Sequence, residues 1–395
     1  MQYNNFNISE FSVSILKKEL ICPFRTSLGE HKNLENILFT LKLENGTEGY
    51  GEAGIATHIT GETVEATSKN LNDAGNRLTG ADIRDYLSIS AELNETLPCN
   101  KSAVAAIEMA LFDALGKSLG IPLWNFFGNV PRKLASDITI VISGLNETEK
   151  TIKKFHQQGF RSFKVKIGND IDADFKRIRI IKKIAKNSKI YLDANQGYSA
   201  EETLRFLNLL KKVDITPDLI EQPVKKNDWE GLRRITKSSK VPVCADESVA
   251  SVVDCIKAIK EKAVSAINIK LMKSGLIQAR EIALLAAHCD IDLMIGGMLE
   301  SSLAMTASAH LAAGLGCFKY VDLDTPFFLR EGTKNPYLNS RGIYDLAKVK
   351  RGIGINPLAG PEESGGFPGF SPRNRPSKSQ AISGETPSHG GSSPK

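Results

Sequence analysis

Charged residues stand where short apolar segments stop, at seven places between residues 164 and 324. They are Lys164-Val165-Lys166, Asp193-Ala194-Asn195, Glu221-Gln222-Pro223, Asp246-Glu247-Ser248, Asn268-Ile269-Lys270, Glu300 and Asp322-Leu323-Asp324. Asp193, Glu221 and Asp246 come from three successive segments. Three hard oxygen donors that leave coordination positions open suit one Mg²⁺ per chain; taken singly, each acid could instead cap a helix or sit solvated in a loop. Lys166 and Lys270 lie inside apolar runs, SFKVKIG and AINIKLM. A lysine near other cations and a metal can have its pKa lowered enough to act as a base near neutrality. Two such lysines on opposite sides of a bound carbon could take a proton from one face and return it to the other; the alternative is ammonium tips snorkelling to water. Asp322 and Asp324, two residues apart, could hold an ammonium group or could form a strand-terminal turn.

These residues converge only if a particular scaffold carries them. Apolar segments recur about every 25 residues, each followed by a polar turn and a helical pattern. They are Ile138–Ser143, Phe163–Ile167, Ile190–Asn195, Leu219–Pro223, Val243–Asp246, Ala266–Leu271, Leu293–Leu299 and Tyr320–Asp324. Eight strands alternating with helices predict a parallel sheet closed into a β/α barrel, whose C-terminal strand ends share one mouth. An open doubly wound sheet is the rival; no GxGxxG follows the first strand, and eight even units favour the barrel. Alternation along a strand puts Lys164 and Lys166 on one face, and Asp322 and Asp324 likewise.

Residues 1–130 read as a smaller α+β unit. Phe11–Cys22 and Glu35–Glu44 alternate as strands joined by a polar loop, Pro23–Asn33; a second loop, Gly51–Gly61, is rich in Gly and Thr. Helical patterns follow at Glu62–Leu78, Asp82–Leu97 and Lys101–Leu119, the last with Ser102 as a candidate cap and Gly120-Ile121-Pro122 as its stop. The barrel is expected over 131–339, with 340–357 completing the first unit. Pro, Gly and Ser dominate 358–395, predicting a disordered tail.

Composition narrows the partners. The chain has 395 residues, 41% hydrophobic and 24% charged, with a net charge of +6 spread without a basic stripe. That excludes a dominantly disordered chain and gives no footprint for nucleic acid. No apolar run approaches the 18 or so residues of a membrane span, no secretory signal is visible, and six scattered cysteines form no CxxC pair. The expectation is a cytoplasmic protein with reduced thiols. His288 and His310 fall in apolar helical patterns and read as structural residues.

The motifs KVK, DAN, EQP, ADES and INIK, in this order and spacing, resemble the enolase superfamily and its muconate-lactonising-enzyme subgroup; the added DxD at Asp322 and Asp324 resembles the dipeptide epimerases. The resemblance spans about 11–357. It implies an α/β fold: an enolase-type modified TIM barrel, (β/α)7β, with an N-terminal α+β capping domain. It further implies a Mg²⁺-dependent 1,1-proton transfer at the α-carbon of the C-terminal residue of a dipeptide, through a metal-stabilised enolate. Asp193, Glu221 and Asp246 would hold the metal, and Lys166 and Lys270 would be the acid/base pair. Lys164 would add positive charge, and Asp322 and Asp324 would hold the α-ammonium. Thr139, Gly297 and Leu299 match substrate-contact positions, Asn195 and Glu247 supporting ones, and a homo-oligomer is expected. One departure stands out. Gly29 occupies the position of the arginine that Ala-Glu epimerases use for an acidic side chain, which leaves Glu30, His31, Lys32, His58 and Thr60 to shape that pocket. The competing readings are an o-succinylbenzoate synthase, a muconate-type cycloisomerase, or a non-catalytic binding protein on a retained barrel.

Overall fold

The computed structural model describes residues 5–27, 29–128, 131–330 and 335–358. Apart from Leu358, the tail expected over 358–395 lies outside the described residues. The chain opens with an antiparallel sheet in the order β1 (Ile8–Thr26), β2 (Gly29–Leu43), β3 (Glu48–Ala53). Both faces of β2 are used. Ile37, Phe39, Leu41 and Leu43 point one way into a core shared with the following helices, while Leu34 and Leu38 point the other way into the barrel core.

Two loop expectations are corrected here. Most of Pro23–Asn33 is strand, because β1 and β2 continue as a hairpin beyond a register shift between Glu19 and Phe24, pairing Phe24 with His31 and Arg25 with Glu30. Pro23 is tolerated because β1 is an edge strand. Gly51 falls within β3, where alternation is masked by glycine. A Cβ on Gly49 or Gly51 would lie 2.1 Å from the Ala110 carbonyl oxygen or 1.8 Å from that of Ala106, so the glycines let β3 sit directly on helix α4.

The helices of this unit are α1 (Thr57–Thr60), α2 (Val64–Leu78), α3 (Tyr86–Thr96) and α4 (Lys101–Leu119). Apolar on all sides, α4 is buried over most of its length, as such a helix must be. Ser102 does not cap it: the Glu62 carboxylate accepts the Ser102 N–H at 3.1 Å instead, placing an acid at the positive end of the helix.

After a two-residue strand, β4 (Leu134–Ala135), eight parallel strands follow in strict sequence order. They are β5 (Ile138–Ile140), β6 (Ser162–Lys166), β7 (Lys189–Asp193), β8 (Leu219–Glu221), β9 (Val243–Ala245), β10 (Ala266–Ile269), β11 (Asp292–Ile295) and β12 (Tyr320–Val321). Between them run α5 (Leu145–Gln158), α6 (Ile171–Ile184), α7 (Ala200–Lys211), α8 (Trp229–Ser238), α9 (Val252–Lys260), α10 (Leu271–His288) and α11 (Ser302–Leu315). The sheet curls until its ends meet, and the Asp137 N–H donates to the Val321 carbonyl at 2.8 Å. This is the (β/α)7β barrel. Inside it Tyr191, Leu219, Cys244, Ala266, Met294 and Tyr320, one from each of six strands, pack as a floor. Residues two positions further along those strands share the same inward face one layer higher, and these include Asp193, Glu221, Asp246, Asn268 and Asp322.

The last described segment ties the layers together. Its strand β13 (Ile343–Tyr344) pairs with β4, and Gly352 exchanges main-chain hydrogen bonds with Ile121 and Leu123. Buried His310 accepts the Trp124 N–H at Nδ1 (3.1 Å), while its Nε2 lies 3.1 Å from the Ile353 carbonyl, which fixes a neutral, structural imidazole. Among the described residues no helix is long and apolar enough to cross a membrane.

Candidate active site

Strand register builds the centre of the site. Lys166, Asp193 and Glu221 are direct cross-strand partners along β6, β7 and β8, so three charged side chains stand side by side at one level of the mouth. Asp246 follows β9 by one residue and Lys270 follows β10 by one; all five are buried. The backbone turns sharply where the acids sit: Asn195, Gln196 and Gln222 adopt left-handed φ values of 42°, 68° and 33°. Such conformations persist only where the surroundings hold them. Gln222 does part of that holding, its side-chain oxygen accepting the N–H groups of Asp246 (2.9 Å) and Ser248 (3.2 Å).

Lys164 is the hub. Its ammonium lies 2.6 Å from Asp322, 2.8 Å from Glu221 and 3.0 Å from Asp193. Lys166 pairs with Asp193 at 2.6 Å, and Lys270 with Asp246 at 2.7 Å. Burial opposes ionisation of every group here, and the neighbouring charges decide the outcome. Burial would raise Asp193, yet Lys164 and Lys166 bring it down to about 2; Lys270 and Lys273 hold Asp246 far below the carboxylate range. Glu221, buried and beside Asp193, is pushed up to about 8. The expected lowering of a lysine is reversed in this charge state: burial favours the neutral amine, but the Asp246 carboxylate beside it keeps Lys270 above its ordinary value. Lys164 is raised too, because Asp193, Asp322 and Glu221 together outweigh its burial.

Other expected residues fall around this centre. Asn195 donates its main-chain N–H to Asp193 at 3.0 Å, and Glu247 accepts from Gln196 at 3.3 Å while burial and the charges of Asp246 and Asp193 raise it to about 7. The Thr139 N–H donates to Asp324. Gly297 and Leu299 are half-exposed beside buried Met298 and Glu300, and the Leu299 carbonyl accepts from Asn36 at 2.9 Å. Buried Tyr344 donates to the Leu323 carbonyl at 2.8 Å, pinning the segment between Asp322 and Asp324. On the side of Lys166, its ammonium lies 6.0 Å from the Phe24 ring centre, and the His31 and His58 rings lie 4.7 Å apart, both kept neutral by burial. Gly29 pairs with Thr26 at the end of the hairpin, with nothing within 4 Å of where its Cβ would be.

Three members of the site carried no role in the sequence reading. Lys273 donates to the Asp246 carboxylate (2.8 Å) and to the carbonyls of Asp246 and Asn268 (2.5 and 2.8 Å); its spacing of three from Lys270 was the available signal. Glu300, fully buried, is raised to about 8 by burial and the charge of Glu52. Asp137 lies one residue before the predicted first barrel strand. Among the described residues, carboxylate oxygens that all approach within 4.8 Å of one another belong to Asp137, Asp322 and Asp324 rather than to Asp193, Glu221 and Asp246, between which the lysines stand.

The sequence matches the mandelate racemase/muconate lactonizing enzyme N-terminal domain over residues 10–128 and the enolase C-terminal domain-like family over 147–359. The chain belongs to the enolase superfamily. Within it, the chain is 45% identical over 362 residues to a hydrophobic dipeptide epimerase of Citrifermentans bemidjiense, covering 89% of this chain and 98% of that protein. It is 35% identical to the L-Ala-D/L-Glu epimerase of Thermotoga maritima, over 82% and 94% of the two chains. The dipeptide epimerase of Enterococcus faecalis, solved with Mg and L-Leu-L-Tyr, superposes with a TM-score of 0.84 at 29% identity, over 88% of this chain and 99% of that one.

The oxygen donors of this superfamily member suit a hard divalent cation. Three buried carboxylates come from neighbouring strands, and Asn195 Oδ1 and Glu247 Oε2 beside them are buried without a hydrogen bond. Buried oxygens left open in this way suit a Mg²⁺ ion.

Proposed function

We propose that this protein is a Mg²⁺-dependent dipeptide epimerase that moves the α-proton of the C-terminal residue from one face of its carbon to the other. The observation that carries the reading is a pair of buried lysines, Lys166 and Lys270, on β6 and just after β10, with carboxylates between them and a second acidic pair at Asp322 and Asp324. Mg²⁺ held by Asp193, Glu221 and Asp246 would supply positive charge to the substrate carboxylate and relieve the lysines of neutralising those acids. Lys166 and Lys270 would then take and return the proton. Lys164, already central to the acids, would oppose the negative charge that develops as the proton leaves, an interaction stronger in the transition state than in the ground state. Asp322 and Asp324 would hold the substrate ammonium, with the Thr139 N–H fixing the second of them. A cycloisomerase substrate without an ammonium leaves that acidic pair unexplained.

The side chain accepted is apolar on this reading. Arg25, the cation of the hairpin nearest the departed arginine position, is tied to Glu30 at 2.6 Å. Beyond Asp193, Lys166 faces the Phe24 ring, and the His31–His58 pair is held towards its neutral form by burial; neither complements a carboxylate. The 45% identity to the hydrophobic dipeptide epimerase of Citrifermentans bemidjiense supports the same direction. Six free cysteines support a reducing, cytoplasmic setting.

Proton NMR in D₂O tests the whole reading. With Mg²⁺ and pooled L-Ala-L-Xaa and L-Xaa-L-Xaa dipeptides, the C-terminal α-proton signal should wash out and D-epimers should accumulate, most rapidly for apolar Xaa. Lys166→Ala and Lys270→Ala should each abolish epimer formation. No exchange across the pool refutes it, and preference for Glu or Asp refutes the apolar pocket.

A further inference from the structure

Asp137 is fully buried where the barrel closes, and neither oxygen of its carboxyl has a hydrogen-bond partner. It shares its space with two more carboxyls, Asp322 and Asp324, all three offering oxygens within 4.8 Å of one another. The cations available to this cluster are few. Lys164 faces it, but an ammonium has three N–H bonds, and Asp322, Glu221 and Asp193 all lie within 3.0 Å of that nitrogen. Asp322 thus has its ion pair and Asp324 has the Thr139 N–H, whereas Asp137 has nothing. Even a substrate ammonium would bring one positive charge to three carboxyls. A lone carboxylate buried beside two others takes a proton rather than keep its charge.

We propose that Asp137 is a protonated carboxyl that completes the ammonium-holding end of the site as a positioning residue, offering its O–H to the Asp322–Asp324 pair. Its functional half rests on the dipeptide reading; its protonation does not. The position of the proton follows from the partners: of the three acids only Asp137 lacks a donor, so the proton that the cluster must hold resides there. Burial, then the charges of Asp322 and Asp324, push its pKa well above the carboxylate range in the same sense. A neutral acid in this place does two things. It leaves the pair with two negative charges for Lys164 and the substrate ammonium to share, and it supplies a donor that fixes the rotation of the carboxylates the ammonium must meet.

The decisive pair of variants is Asp137→Asn, whose amide keeps neutrality and a donor, and Asp137→Val, which keeps the shape and loses both. Infrared difference spectroscopy of wild type against Asp137→Asn, near neutral pH and without substrate, should show a protonated-carboxyl stretch present only in wild type. With a dipeptide that exchanges, Asp137→Val should raise KM about 10- to 100-fold with a smaller change in kcat, and Asp137→Asn should recover most of that loss. No difference in the carboxyl stretch, or an Asp137→Asn variant as impaired as Asp137→Val, overturns the proposal. If Asp137→Val does not fold, Asp137→Asn is set against Asp322→Asn, and equal losses overturn it. If wild type exchanges no dipeptide, the function fails and the infrared result alone decides the protonation.

Discussion

Lys270 and Lys273 contact the same carboxylate from one turn of chain, and the geometry gives them opposite roles that substitution by Met should separate. Lys273 has spent all three of its N–H bonds, on the Asp246 carboxylate and on two main-chain carbonyls. Removing it leaves Asp246 with Lys270 alone and strands two buried main-chain carbonyls, each unmet acceptor costing about 1–3 kcal/mol, so that the whole loss is about 3–5 kcal/mol. At roughly 2 °C per kcal/mol for a chain of this size, melting should fall by ~6–10 °C. Lys270 has one contact, to Asp246 Oδ2, and its substitution leaves that carboxylate paired with Lys273. The cost is then nearer that of one hydrogen bond to a charged group, about 1.5–3 kcal/mol. Thermal melting and α-proton exchange, measured on the same preparations below the melting range, should dissociate the two. Lys273→Met melts early yet still forms both epimers. Lys270→Met melts only ~3–6 °C below wild type and forms no epimer, while washing out the proton of one diastereomer through Lys166. If Lys273→Met melts like wild type but is inactive, or Lys270→Met loses as much stability, the division between a fastening and a reacting lysine is wrong.

Acid should weaken the fold through His310. Burial lowers its folded pKa to about 4 from an ordinary value near 6.5. Its stabilising contribution is therefore complete above pH ~6.5 and is lost as pH falls towards ~4, by ~3 kcal/mol in all. Denaturant melts across that window should show a shallower slope for His310→Asn than for wild type, and equal slopes count against the assignment. Gly51→Ala places a methyl 1.8 Å from the Ala106 carbonyl oxygen with backbone on both sides, so β3 must lift from α4. A loss of ~3 kcal/mol or more is expected by thermal melting, and a melt within about 2 °C of wild type is inconsistent with the packing. Asp322→Asn and Asp324→Asn should each lower kcat/KM of epimerisation by about 10- to 100-fold through loss of a charged hydrogen bond; unimpaired variants would move the ammonium elsewhere.

Much of this site was legible because the chemistry rides on regular strands. Apolar runs of fixed spacing ending in Asp, Glu or Lys need only a closed parallel sheet to bring those ends together, and register then sets Lys166, Asp193 and Glu221 abreast. What sequence did not disclose follows different rules. The hairpin beyond Cys22 carries polar residues on both faces because it projects past the core, so no alternation marks it as strand. Strand β3 is hidden by Gly49 and Gly51, chosen for closeness to α4 rather than for burial of a side chain. Lys273 sits in a helical pattern where a lysine is ordinary, and Asp137 falls one residue outside the run that marks its strand. Each of these depends on a neighbour distant in sequence, which local periodicity cannot see.

The orphaned oxygens of the mouth sort themselves by position, and that sorting constrains the ligand. Lys164 stands between two groups of acids. On one side Asn195 Oδ1 and Glu247 Oε2 are buried without donors and Glu221 Oε2 has only its share of Lys164; on the other, both oxygens of Asp137 are without one. Lysines alone therefore satisfy neither side, since the ammonium that bridges them has no fourth N–H to give. The first group offers several oxygens to one centre, which calls for a multivalent cation that accepts many ligands. The second clusters three carboxyls about one small space next to a single N–H from Thr139, which calls for one monovalent donor together with one retained proton. A ligand that satisfies both sides must carry a carboxylate at the metal end and an ammonium at the other, with its reacting carbon near Lys166 and Lys270. A dipeptide meets that description; a lactone or a succinylbenzoate meets only the first half of it.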